Sequence, residues 1–525
     1  MNKFLKQVIK ISCIALAFFH LYTGLFGLLP CFRQRAVHVG VALIVIFLSH
    51  PTQKKKSIIF THWYDFIFAI LILISASYVF INHMKFMKGL IVSPSIFELM
   101  LAIITTVLIL EAGRRVISGV FIFLVFFSLI YSVLGQYISG YWGHPPVSLS
   151  VFLQYMYLSA NAIWGFLTGL SANYLATFII FGSILIATGG GDTFIDLACL
   201  IAGKMSGGPA KVAVISSAFF AMLSGNAPVN VITTGSFTIP MMKKIGYKPE
   251  FAGAVEAAAS TGGILTPPIM GMAAFIMAEL LAIPYLEVVH SAIIPAFLFY
   301  FGVLSGVHIE AKKNNLKPIP LEEINLIKKR ISFSKIICLI IPIFALLFTL
   351  MKGYSLSFVG STASITAVGT YIISDFKVNG IKEKILRLPD ILEHSGKNIV
   401  NLVPMFVCAN IIYFCLNFTG GDMKLAAIIM EVGQDNLILA LILTGILLMI
   451  LGCGMPSAPA YMLGAVVAGP LLLRLGILPI SAHMFILYYS IISMITPPIC
   501  PAVMVASHIA HSNWIKTAFV TLKLA

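Results

Sequence analysis

GGD at residues 190–192 and TPPI at residues 266–269 return as GGD at 420–422 and TPPI at 496–499, 230 positions further along the chain. Between these marks Pro240 matches Pro470, Gly246 matches Gly476, and Pro249 matches Pro479 in the same register. A register held over about 80 residues without slippage is hard to attribute to shared apolar composition, and it reads as an internal duplication. Inside each copy lies an apolar stretch broken in its middle by small residues and proline, about 210–242 and about 437–474. Each suits two half-length segments better than one span, so each is predicted to be a re-entrant hairpin.

Composition fixes the solvent. Of 525 residues 59% are hydrophobic and 10% charged, with a mean hydropathy of +1.00. A soluble domain is nearer half apolar and a quarter charged, so the chain belongs in a bilayer. Apolar windows run at about 11–29, 37–49, 64–82, 96–112, 117–136, 172–188, 251–282, 287–308, 336–352, 356–374, 398–417 and 482–508. The expected fold is an all-α polytopic membrane protein of about twelve spans and two hairpins. The window at 37–49 is short enough that its crossing is left open. Lys3, Lys6 and Lys10 precede a first apolar run too long for a signal h-region and without a small-residue cleavage site, so that run is expected to be retained.

The formal charge of +15 sits in short loops rather than in a basic stripe interleaved with aromatics, which argues for topology and against nucleic acid. The eight cysteines lack metal or disulfide spacing. There is no GxxxxGK[ST] loop for nucleotide and no nucleophile elbow, so neither ATP-driven transport nor an enzyme is expected. No cofactor is expected.

Charge also orients the two copies. The loop holding Lys312, Lys313, Lys317, Lys328, Lys329, Arg330 and Lys335 is placed in the cytoplasm, as is the one with Lys377, Lys382, Lys384 and Arg387. One span later Gly420 falls outside; counting back from Lys312 puts Gly190 inside. Lys204, Lys211, Lys243, Lys244 and Lys248 flank the first hairpin, whereas Lys424 and Arg474 are matched by Glu431 and Asp435 around the second. The copies are therefore predicted to be inverted, the arrangement by which secondary carriers place a binding site at the bilayer midplane. Arg33 and Arg35, counted outside, are exceptions.

The expected organisation is a helical unit over 1–145, an amphipathic interfacial connection over 146–170 containing Gln154, Ser159, Asn161 and Trp164, a first repeat over 171–310, cytoplasmic loops and scaffold helices over 311–397, and a second repeat over 398–525.

The chemistry is expected at the breaks. The first hairpin turns at Ser224, Gly225, Asn226, Ala227 and Pro228; the second at Gly452, Cys453, Gly454, Met455, Pro456 and Ser457. A carbonyl released from a helix inside a membrane needs another partner, which can be a sodium ion or a substrate, or a neighbouring helix. Ser224 and Asn226 add hard side-chain oxygens. The Thr-Pro-Pro elements break the following helices because proline removes an N–H and clashes one turn back, leaving Thr266 and Thr496 beside freed carbonyls, with Gly262 and Gly263 upstream in the first copy. A plain proline kink is the simpler account. Helix N-termini at the hairpin tips favour an anionic group, with Asn226, Thr233, Thr234, Ser236 and Ser457 as candidate substrate contacts; back-bonding to the preceding turn is the competing use of these hydroxyls. Glu256 and Glu279 are intramembrane acids present in one copy only, suited to neutralise a cation or carry a proton, unless Glu279 is simply solvated. Glu111, Arg114 and Arg115 end the fourth span as an intramolecular pair or a cytoplasmic anchor.

Ser224 through Thr233-Thr234-Gly235-Ser236-Phe237, Gly253-Ala254-Val255-Glu256-Ala257, Thr266-Pro267-Pro268 and Gly271, with Gly454-Met455-Pro456 and Thr496-Pro497-Pro498, resemble the signature of fused permeases of tripartite ATP-independent periplasmic (TRAP) transporters. The resemblance covers about residues 90–515. It implies a small membrane subunit fused ahead of a large one, an elevator mechanism, and sodium-coupled import of a small organic anion, a carboxylate, across the bacterial inner membrane. It also implies delivery by a periplasmic solute-binding protein. Family sodium sites carried over fall on Ser224, Gly225, Asn226, Gly262 and Thr266, and on Gly452, Gly454, Met455 and Thr496. One departure is that the span at 291–308 would have its partner at 521–538, past Ala525, so the last span of the second copy is expected to be missing. Two other readings stay open: a stand-alone carboxylate or ion carrier of related elevator fold, and a non-transporting truncated permease, channel or scaffold.

Overall fold

The computed structural model describes residues 3–50, 63–88, 93–117, 119–267, 269–374, 378–433 and 436–525. Pro268, Lys377, Asp435 and the side chain of Ser224, all invoked from the sequence, lie outside the described set. Among the described residues every regular element is a helix, and eleven helices are long and apolar enough to cross a membrane.

The duplication is visible element by element. Gly190–Ala202 corresponds to Gly421–Gly433, Gly208–Ser224 to Leu437–Leu451, and Ala227–Ile245 to Ser457–Arg474. Pro249–Gly262 corresponds to Pro479–Ile492, the 3-10 turn Gly263–Leu265 to Ser493–Ile495, and Met272–Leu281 to Pro501–Ala510. The windows expected at 251–282 and 482–508 are thus not single spans. Each is a helix, a 3-10 turn, a short non-helical gap and a second, 10-residue helix. Proline explains the gaps, because at Pro267 and Pro497 no amide hydrogen is available to continue the ladder.

Both hairpins fall where the broken apolar stretches predict them. Their arms are 17 and 19 residues long in the first and 15 and 18 in the second. At about 1.5 Å per residue these arms approach full-span length, so "half-length" understates them. Asn226 caps the second arm of the first hairpin, its side chain accepting from the Val229 amide, and Gly246 ends that arm at φ +107°.

The chain divides into two compact units: residues up to Ile184 with Tyr354–Leu425, and Leu185–Gly353 with Ala426–Ala525. These borders differ from those expected at 170/171, 310/311 and 397/398. Leu356–Ile373 and the whole of the 42-residue Val378–Thr419 belong with the N-terminal helices, and Lys3–Phe26 packs along both. In the other unit the copies interlock. The Pro249–Gly262 helix of the first packs on Pro501–Ala510 and Trp514–Leu524, while Met272–Leu281 lies against Ser457–Arg474 of the second. Lys243 Nζ seals this exchange by donating to the Ala510 carbonyl at 2.8 Å.

Three local expectations are corrected. The weak second window is the C-terminal part of a 19-residue helix, Cys31–Ser49, and so is long enough to cross. Its early polar residues hid it from a hydropathy scan, yet they are bonded within the protein. Arg33 donates to the Phe80 carbonyl at 3.3 Å and stacks over the Phe80 ring, and Arg35 donates to the Trp164 carbonyl. The connection at 146–170 is not one amphipathic helix: Leu149–Tyr157, capped by Ser148, gives way to turns before Phe166, and Trp164 is wholly buried. The basic segment around Lys382 to Arg387 is not a loop either, being the start of the long helix Val378–Thr419. Glu111 does pair within the chain, with Arg114 at 2.7 Å and Arg115 at 2.8 Å, and Arg115 reaches on to buried Asp65 at 2.7 Å.

Candidate functional site

In both copies the hairpin tip meets the gap in the helix that follows it, although the two are about 40 residues apart in sequence. At the first tip Gly225 takes φ +60°, and its α-carbon faces Gly271 and Met272 so closely that a β-carbon there would lie 3.6 Å from the Gly271 α-carbon. At the second tip Gly454 takes φ +74° against Ile499, and Cys453 Sγ approaches the Thr496 carbonyl at 3.9 Å. Left-handed glycine allows each chain reversal without a β-carbon clash.

The other carried-over positions gather at the same junctions. Thr266 Oγ1 donates to the Gly262 carbonyl at 3.2 Å, and Thr496 Oγ1 donates to the Ile492 carbonyl, its counterpart in the second copy, at 2.9 Å. Gly262 supports the Phe299 ring so closely that any side chain would collide with it. Gly452 does the same for Ser493, whose Oγ would stand 2.2 Å from a β-carbon at 452. The Met455 amide donates to the Gly452 carbonyl at 3.1 Å, its side chain wholly buried. The oxygens assembled are neutral carbonyls and hydroxyls, hard ligands that match an alkali cation better than a soft metal. Among the described residues no group of three or more His, Cys, Asp or Glu side chains could hold a metal ion.

The candidate substrate hydroxyls separate onto two faces of the second arm. Thr233 and Ser236 lie on its more accessible face, donating back to the Val229 and Thr233 carbonyls at 3.0 Å each. Asn226 stands half-buried at the tip, and Ser457 is buried at the first turn of the matching arm. Thr234 points the other way. It is wholly buried and donates to Glu256.

Glu256 is the centre of a cluster that spacing alone did not reveal. Its carboxylate, wholly buried, accepts from Ser217 at 2.5 Å and from Thr234 through Oε1, and from Thr238 at 2.5 Å through Oε2. Ser260 adds a bond at 3.3 Å. Asn230, also buried, braces the ring of hydroxyls by donating to the Ser217 carbonyl at 3.0 Å. The cluster unites both arms of the first hairpin with the broken helix, and among the described residues it contains no ion pair. Ser217, Thr238 and Ser260 were missed; the signal was present, since Thr234 and Thr238, and likewise Glu256 and Ser260, share helix faces at i,i+4. The second copy makes a different polar link between the same two elements, Tyr461 Oη to His483 Nδ1 at 2.6 Å. Glu279, by contrast, is exposed near the end of its helix, which fits the solvated reading.

An all-helical polytopic chain built from two hairpin-and-broken-helix copies defines a membrane transporter permease. The chain belongs to the DctM family: the model of the tripartite ATP-independent periplasmic transporter, DctM component, matches residues 104–524. Among curated relatives, the C4-dicarboxylate TRAP transporter large permease protein DctM of Pseudomonas aeruginosa is 26% identical over 61% of this chain and 73% of its own length. Its namesake in Vibrio cholerae is 26% identical over 70% of this chain and 83% of its own length. The isethionate TRAP transporter permease protein DctMQ of Oleidesulfovibrio alaskensis is 23% identical over 66% of this chain and 53% of its own length.

Proposed function

We propose that this chain is the permease of a sodium-coupled secondary importer of a small carboxylate in the bacterial inner membrane, fed by a periplasmic solute-binding protein. It is a transporter and not an enzyme. The observation that carries the proposal is the recurrence, in both copies, of a hairpin tip seated against a helix gap with a threonine hydroxyl beside it. Sodium would be held by the oxygens of Ser224, Gly225, Asn226, Gly262 and Thr266 in the first copy, and by those of Gly452, Gly454, Met455 and Thr496 in the second. The carboxylate would meet Asn226, Thr233, Ser236 and Ser457 near the arm N-termini, where unpaired amides favour an anion. Thr234 acts indirectly, holding Glu256. The carboxylate class is supported by relatives named for C4-dicarboxylates, and fusion of a small subunit by a relative named DctMQ. The two copies move the site between membrane faces as an inverted-repeat elevator.

The test is uptake of labelled C4-dicarboxylates by proteoliposomes with the cognate binding protein. Accumulation is expected only with an inward sodium gradient and only with the binding protein. Uptake indifferent to sodium removes the coupling, and uptake without the binding protein removes the tripartite scheme.

A further inference from the structure

Lys211, near the start of the first hairpin arm, is 5% exposed, yet no carboxylate lies within ion-pair distance of it among the described residues. Its Nζ stands 3.1 Å from Nδ1 of His308, on the long helix Tyr285–Lys313. An ammonium bonded to Nδ1 places the imidazole proton on Nε2, so the pair offers only donors to whatever lies beyond it. Beyond it is a groove of about 530 Å³. Its walls are apolar, including Ile201, Met205, Phe301 and Leu304, and its rim residues Ile201 and Phe301 are 62% and 61% exposed. Glu310, the nearest acid on the same helix, turns away to Asn314 at 2.8 Å and lines a different pocket with Lys248. The basic end of the groove lies one helical turn from Lys312 and Lys313, in the segment that the positive-inside rule assigns to the cytoplasm.

We infer that this groove binds an anionic phospholipid of the cytoplasmic leaflet, its phosphate received by Lys211 and His308 and an acyl chain laid along Phe301, Leu304 and Met205. A soluble anion has no use for the long apolar wall, and a neutral hydrocarbon has none for a buried ammonium without a counter-charge. A phospholipid satisfies both, and basic pockets between helices on the cytoplasmic side commonly serve such headgroups.

The experiment is native mass spectrometry of the full chain, extracted in mild detergent and relipidated with phosphatidylglycerol or phosphatidylcholine. Wild-type protein should retain phosphatidylglycerol over phosphatidylcholine by about fivefold for each basic group engaged. Lys211→Gln with His308→Gln should bring the ratio to near one, while Lys313→Gln, at the exposed helix end, should leave it unchanged. Should the double variant fail to fold, Leu304→Trp, which fills the groove and keeps both basic groups, should itself abolish preferential retention. A wild-type preference persisting in either variant overturns the assignment. So does thermal protection of wild-type protein by inorganic phosphate or succinate equal to that by phosphatidylglycerol vesicles, which would make this a soluble-anion site.

Discussion

Thr238 Oγ1 lies 2.5 Å from Oε2 of Glu256, tying the second arm of the first hairpin to the helix that follows it. The corresponding positions in the second copy are Ala468 and Ile486, both wholly buried, and Ile486 packs where a β-carbon on Gly464, the counterpart of Thr234, would stand 2.8 Å from it. One copy therefore joins arm and helix through hydroxyls on a carboxylate, and the other through close apolar packing at these positions together with the Tyr461–His483 bond.

This difference predicts asymmetric sensitivity. Glu256→Ala leaves the hydroxyls of Ser217, Thr234 and Thr238 without their acceptor, a cost of ~1–3 kcal/mol for each buried group that finds no substitute. Thermal unfolding in detergent should show a clear drop in Tm for Glu256→Ala and a smaller one for Glu256→Gln, which keeps one carbonyl acceptor. Equal Tm values for Glu256→Ala and wild type would remove the clamp.

At the second tip, Gly452→Ala puts a β-carbon 2.2 Å from Ser493 Oγ. Overpacking of this kind costs ~1–3 kcal/mol. Uptake should fall by roughly tenfold, which corresponds to ~1.4 kcal/mol. Combining it with Ser493→Gly should restore most of the loss; a double variant as poor as the single one argues that the tip does not seat on the 3-10 turn.

Thr266→Val preserves shape and removes the hydroxyl beside the first gap. If that oxygen contributes to a sodium site, the sodium concentration for half-maximal uptake should rise by about tenfold, equivalent to ~1.4 kcal/mol. Thr266→Ser should remain near wild type. An unchanged sodium dependence in Thr266→Val assigns the hydroxyl to helix back-bonding alone.

In the other unit, Arg115 and Asp65 form an ion pair at 2.7 Å with side chains 2% and 0% exposed. Removing both acidic partners of a buried guanidinium costs ~3–5 kcal/mol, but Arg115 keeps Glu111 at 2.8 Å and the His50 carbonyl at 2.9 Å, so loss of Asp65 alone costs only part of that. Asp65→Asn should therefore lower Tm moderately, and Asp65→Asn with Arg115→Met should recover part of it. If the double variant is less stable than the single one, the pair is not the stabilising feature.

Much of this molecule is legible one-dimensionally because membrane insertion and helix breaking are local. The hairpins at 210–242 and 437–474 and the gaps after Thr266 and Thr496 follow from proline, glycine and apolar runs, whose effects act within a turn or two. The helix Cys31–Ser49 was underestimated for the converse reason: Arg33, Gln34 and Arg35 look incompatible with a span until their distant partners are known. Gln34 donates to Thr23 and to the Ala172 carbonyl, both at 3.2 Å, and the second of these partners is 138 residues away.

The sequence by itself determined that the chain is a duplicated, polytopic helical membrane protein, since composition and a 230-residue register suffice for that. Only tertiary structure decided how the copies interlock, which hydroxyls surround Glu256, that Thr234 turns inward while Thr233 does not, and that Lys211 faces a groove without a counter-charge. Those outcomes depend on which helix face meets which neighbour. Helix-face pairing is set by packing between elements tens to hundreds of residues apart, a relation that periodicity along one segment does not encode.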